Sequence, residues 1–190
     1  MRPGESPALI DPPANGAARE RLPGAFWRPD PRMVEALAAE LRGRKVLEIF
    51  GGNGLLARRL SDLGVDVLCT SLLSSMDAHE RGVYHPVHDL DARQAVLEFG
   101  EGHEVLLICW PTVTDAALDA CRLWGSKPVA YVGEVTDYSK NHLGGCATDE
   151  FHEAARPAKR LPYAGNMLEQ AWIGTVEPGP KAAPTRWRRP

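Results

Sequence analysis

The stretch VLEIFGGNGLLARRL, residues 46–60, decides the fold. It begins as a short apolar run, breaks at Gly51, Gly52, Asn53 and Gly54, and resumes with leucines spaced among arginines. An apolar run of that length, then glycines, then apolar residues three and four apart, reads as strand, tight turn and helix. Such a turn gathers backbone N–H groups and the positive end of a helix dipole around one point, with no side chains in the way of a ligand. The glycine spacing is neither G-x-G-x-x-G nor a P-loop, because no Lys-Ser/Thr pair follows.

The same alternation continues outward. In DPRMVEALAAELRG, residues 30–43, Met33, Val34, Leu37, Ala38 and Leu41 fall at helical spacing, with Pro31 suited to a first turn and Gly43 to a stop. Beyond the glycines a helix closes at Gly64, and VDVLCTSL is a second strand. MDAHERG is a short helical or irregular piece, YHPVHDL a weak third strand, DARQAVLEFG a helix, and EVLLICWP the most apolar strand, stopped at Pro111. TDAALDACRLWG is a helix, PVAYVGEV a fifth strand, TDEFHEAAR a helix and MLEQAWIGTVE a last strand. This order predicts an α/β fold: a Rossmann-like, doubly wound, mostly parallel sheet with helices on both faces. Ligands of such sheets bind at the carboxyl ends of the strands, beside the switch point.

Composition sets the limits. The 190 residues carry a net charge of -3, so the global field favours neither nucleic acid nor an anionic membrane. No apolar run reaches the ~18 residues of a spanning helix. Residues 1–23 read as a mobile Pro-rich leader, 24–177 as one domain and 178–190 as a flexible basic tail, with Arg186, Arg188 and Arg189 around Trp187. Phe26, Trp27 and Arg28, at the junction of leader and domain, are candidates for a lid over the site, or for a staple onto the core. Cys69, Cys109, Cys121 and Cys146 form no C-x-x-C pair and predict reduced thiols in a cytoplasmic protein. His85 and His88 would face opposite sides of a strand, so no metal site is expected.

The segment 48–54, Glu48-Ile-Phe50-Gly51-Gly52-Asn53-Gly54, resembles motif I of class I S-adenosylmethionine-dependent methyltransferases, E/D-x-G-x-G-x-G, with Phe50 where the first glycine stands. The resemblance implies S-adenosyl-L-methionine as cofactor, held by Glu48, Phe50, Gly51, Gly52, Asn53 and Gly54. It places Ser71 where the family has a carboxylate for the ribose hydroxyls, with Asp77 as a substitute across a short loop. It also places Asp91, with Ala92, beside the adenine, although Asp91 equally suits a helix N-cap. At the end of the fourth strand Trp110, Pro111, Thr112 and Val113 stand in the register of the amino-methyltransferase motif [D/N/S]-P-P-[Y/F]. The polar acceptor and aromatic shelf of that motif are missing, which argues against a DNA adenine methyltransferase and leaves Trp110 to the methionine part of the cofactor, the substrate pocket or the core.

The resemblance further sets the loop 136–148 above the cofactor. Glu134 suits a general base or an anchor for a substrate amine, with Tyr138 and Asp149 as helpers; His142 and His152 could line the same mouth. Each of these also fits a loop or cap role. Cys146 has no neighbouring base in sequence and reads as a loop thiol. The expected activity is methyl transfer to a small-molecule substrate, with a homodimer partner or the leader covering the site. Two other readings stand beside it: non-methylating S-adenosylmethionine chemistry, and a binding protein that keeps the fold without catalysis.

Overall fold

The first helix, α1 (Pro31–Leu41), starts where Asp30 accepts a hydrogen bond from the Arg32 amide, and it buries Met33, Val34, Leu37, Ala38 and Leu41 along one stripe. The computed structural model describes residues 7–12, 27–74, 79–165, 168–177 and 179. After α1 the chain runs through β1 (Lys45–Ile49), α2 (Leu55–Asp62), β2 (Asp66–Ser71), β3 (Val87–Asp89), α3 (Ala92–Phe99) and β4 (Val105–Cys109). It continues through α4 (Ala116–Trp124), β5 (Val129–Glu134), α5 (Asp149–Ala154), β6 (Ala155–Arg160) and β7 (Glu169–Val176). The sheet order is β3-β2-β1-β4-β5-β7-β6, parallel except for β7, which runs antiparallel to both neighbours.

Helices cover both faces, and side-chain alternation along the strands sorts the two cores. Val46, Cys69, Val105, Leu107, Ala130 and Val132 pack toward α1 and α2. Leu47, Ile49, Leu106, Ile108, Val129 and Tyr131 pack toward α3, α4 and α5. All five residues of β4 are buried, as expected for a central parallel strand covered on both sides. Ala8 and Ile10, in the proline-rich N-terminal stretch, pair with Val83 through hydrogen bonds of 2.9 Å each.

The sequence reading carries the last helix to Arg156 and assigns no strand between it and the last strand. In the structure α5 stops at Ala154 and β6 follows at once. The segment ARPAKR lacks an apolar face because β6 is an exposed edge strand, organised by its pairing with β7. Pro157 is tolerated there, beside a register shift between Pro157 and Lys159.

Trp172 of β7 is 2% exposed and stacks on Tyr131 of β5, with ring centroids 5.3 Å apart and planes 17° from parallel. Trp172→Ala is expected to lower unfolding free energy by about 3–5 kcal/mol in urea titration, since neighbours held on two strands cannot collapse into the space.

Candidate active site

The connections out of β1 and β4, adjacent strands, diverge: α2 packs on one face of the sheet and α4 on the other. A cavity of about 710 Å3 opens at this switch point, within the ~300–1,000 Å3 usual for small-molecule sites. Phe50, immediately after β1, and Trp110, immediately after β4, both have left-handed backbones, with φ of 59° and 50°. For bulky L-residues that conformation costs roughly 1–2 kcal/mol each. Both residues line the cavity, so the strain is concentrated at its floor.

One side of the cavity belongs to β1, β2 and β3. Gly51, Gly52 and Asn53 line it with the turn after β1, Ser71 with the end of β2, and Asp91 and Ala92 with the start of α3. Gly51 admits no side chain, because a Cβ there would lie 2.3 Å from the Cys69 sulfur. The Asp91 carboxylate caps α3 through one oxygen, Oδ1, which accepts from the amides of Arg93 and Gln94 at 2.9 Å each. The Gln94 Oε1 in turn accepts from the Asp91 amide at 3.2 Å and completes a capping box.

A second layer holds the glycine turn from outside. The Asn53 side chain donates to the Gly82 carbonyl, the Tyr84 amide donates to the Asn53 carbonyl, and His79 reaches the Gly52 carbonyl at 3.1 Å. Gly54 is not among the cavity-lining residues. It turns the chain into α2 with φ of 74°, against His85, whose Cβ would stand 2.9 Å from any Cβ at position 54. Asp77 lies outside the described residues.

The other side of the cavity belongs to β4 and β5. Cys109, Trp110, Pro111, Thr112 and Thr114 line it from the β4 end, and Gly145 and Cys146 from the loop after β5. Trp27 closes this side from the N-terminal segment: its ring lies 5.8 Å from that of Trp110, and its indole N–H donates to the Tyr163 hydroxyl at 2.6 Å. Phe26, the other aromatic lid candidate, lies outside the described residues. The Trp27–Tyr163 bond joins positions 136 apart in sequence, and no local pattern announces it. Thr112 and Thr114 carry a weaker signal, two hydroxyl residues directly after the most apolar strand; their side chains bond each other at 3.1 Å.

Glu134, Tyr138 and Asp149 are not among the lining residues. Glu134 Oε2 accepts from the Gly145 amide at 2.8 Å and so holds the loop that lines the cavity. The Tyr138 hydroxyl donates to Asp149 Oδ2 at 2.6 Å on an exposed surface, and this bond pushes the phenol pKa up. His142 closes a bridge with Asp137, and His152 bonds the Cys146 carbonyl at 2.9 Å. The Cys146 thiol is pushed up to about 11 by burial, so it stays protonated at neutral pH.

Glu48 lies beneath the turn, fully buried on β1 opposite Cys69 of β2. No nitrogen or oxygen donor reaches either carboxyl oxygen among the described residues; the thiols of Cys69 and Cys109 are its polar neighbours. Burial raises its pKa to about 7, and the weak thiol donors only partly offset that rise.

No family model and no curated protein matches the sequence. Solved structures share the fold. MtNAS in complex with MTA and tNA is 19% identical, over 78% of this chain and 61% of that one, with a TM-score of 0.54. Human N-acetylserotonin methyltransferase in complex with SAM is 10% identical, over 77% and 51%, at 0.53. The S-adenosylmethionine-dependent methyltransferase SibL is 14% identical, over 76% and 54%, at 0.50. This chain thus spans roughly half to three-fifths of the length of these structures.

The Glu48 carboxyl sets a pH dependence of stability. Its folded pKa of about 7 stands above the ordinary 4.5 of a glutamate, so the unfolded chain releases this proton first. Unfolding free energy should therefore fall as pH rises from about 4.5 to about 7, by on the order of 3 kcal/mol, and level off above. Glu48→Gln is expected to remove that fall, read as denaturation midpoints across the same pH range.

Proposed function

From a chain with the fold of class I S-adenosylmethionine-dependent methyltransferases, we propose a methyltransferase that binds S-adenosyl-L-methionine and acts on a small molecule. The observation that carries this reading is the cavity's β1–β3 side, where bare backbone at Gly51 and Gly52 adjoins Ser71 and the Asp91 carboxylate. The donor set fits the cofactor: Asp91 caps α3 with Oδ1 alone, so Oδ2 serves an exocyclic amine, and Ser71 offers one hydroxyl to the ribose. With serine in place of a carboxylate the ribose is held without charge assistance, so more of the affinity falls to the glycine turn and Asp91.

When bound, the cofactor supplies an already activated sulfonium methyl group. The protein's part is then to align the acceptor in line with that methyl and to exclude water. Trp27, Trp110 and Pro111 wall the acceptor side, and the hydroxyls of Thr112 and Thr114 orient a nucleophile that carries its own proton. Glu134 acts as a positioning residue through Gly145. Tyr138 and Asp149 clasp the 3₁₀ turn at Tyr138–Lys140 to α5 and steady the same loop. The four free, buried cysteines fit a reducing, cytoplasmic setting.

A second reading, non-methylating use of the same cofactor, draws support from the MTA in the MtNAS complex and from the apolar Trp110 where amino-methyltransferases carry a polar acceptor. Calorimetric titration with S-adenosylmethionine and S-adenosylhomocysteine tests the shared premise, and absence of heat with both would sink either enzyme reading. Gly52→Val, a branched side chain at a cavity-lining position with φ of 53°, is expected to abolish binding. Glu134→Gln keeps an acceptor for the Gly145 amide and should bind the cofactor as the parent does. Chromatography of turnover mixtures then decides the chemistry: S-adenosylhomocysteine for methyl transfer, methylthioadenosine for attack elsewhere on the sulfonium.

A further inference from the structure

We propose that the acceptor is an uncharged aromatic molecule bearing one neutral nucleophile, seated against the Trp27–Trp110 wall; this rests on the cofactor reading above. The first ground is charge. Among the described residues, none of those lining the cavity is lysine, arginine or histidine, and the single carboxylate, Asp91, belongs to the opposite side. A phosphate or carboxylate on the acceptor would enter without a cationic partner, and stripping its water would go uncompensated.

The second ground is the wall itself. The Trp27 N–H is committed to Tyr163, whose own hydroxyl is bonded to Glu169. The Trp110 N–H is buried away from solvent and has no partner among the described residues. Neither indole therefore presents an accessible N–H to the cavity, and the wall presents ring faces and edges only. Rings meeting at 5.8 Å and tilted by 40° make a contiguous surface suited to a flat aromatic body.

The third ground is the rim. Thr112 and Thr114, the hydroxyl pair beside the wall, each keep hydrogen-bonding capacity beyond their mutual bond, enough for one neutral hydroxyl or ring nitrogen. Trp27 is thus a specificity-determining residue, and Tyr163 a positioning residue that fixes its orientation through the 2.6 Å bond.

The test titrates naphthol, naphthoate and naphthylmethylammonium into the full chain saturated with S-adenosylhomocysteine. Naphthol should bind about tenfold or more tightly than either charged analogue. Trp27→Ala should weaken naphthol by a similar factor, Trp27→Phe should retain most of its affinity, and S-adenosylhomocysteine should bind both variants as it binds the parent. Naphthoate or the ammonium analogue binding as tightly as naphthol would overturn the proposal. So would Trp27→Ala leaving naphthol unaffected, or weakening S-adenosylmethionine in its place, which would assign the wall to the sulfonium. If S-adenosylhomocysteine gives no heat with the parent chain, the cofactor reading fails by itself; the naphthol series on the chain alone still judges the wall.

Discussion

The parallel pairing of β1 with β4 is the constraint on which the rest depends. Val46 through Ile49 lie beside Val105 through Ile108 in register, so the two strands end side by side and their connections leave to opposite faces. Space opens where the connections part. Each strand is also followed by a bulky residue turned left-handed, from which the backbone after β1 enters a bare glycine turn and the backbone after β4 continues to Pro111 and the threonines. Sheet pairing supplies the rigidity that holds those conformations against their cost.

Beneath the turn, the packing leaves no slack. Cys69 fills the space where a side chain at position 51 would go, and Glu48 occupies the layer beside it without a nitrogen or oxygen donor. Burying a carboxyl in this way is unfavourable when it is ionised, which explains its raised pKa and ties the sheet directly to the glycine turn above. The loop residues His79, Gly82 and Tyr84 hold the same turn from its outer side. The turn is thus fixed from below by side-chain volume and from outside by hydrogen bonds.

Much of the fold was legible because buried parallel strands are continuous apolar runs and their helices carry one apolar stripe each, as in EVLLICWP and α1. β6 was not legible, since an exposed edge strand needs no apolar face and forms only because β7 offers it hydrogen bonds. On the site, Gly51, Gly52, Asn53, Ser71, Asp91, Ala92, Phe50 and Trp110 were all named through the resemblance to the methyltransferase motifs, and all line the cavity. Glu48 and Gly54 shape the turn from behind. Polar density in the loop after β5 pointed to Glu134, Tyr138 and Asp149, but their hydrogen bonds brace that loop. Trp27 with Tyr163 is a contact between distant segments, and sequence periodicity carries no trace of such a contact.

The two indoles at the cavity also give the protein an optical handle. Of the five tryptophans, Trp124 packs under the Lys127 ammonium and Trp172 stacks on Tyr131, neither of them lining the cavity, and Trp187 lies outside the described residues. Trp27 and Trp110, tilted and 5.8 Å apart, lie close enough for their electronic transitions to couple. Their near-ultraviolet circular dichroism is therefore a signature of the closed wall, and it follows the approach of any molecule that parts them without a label being attached.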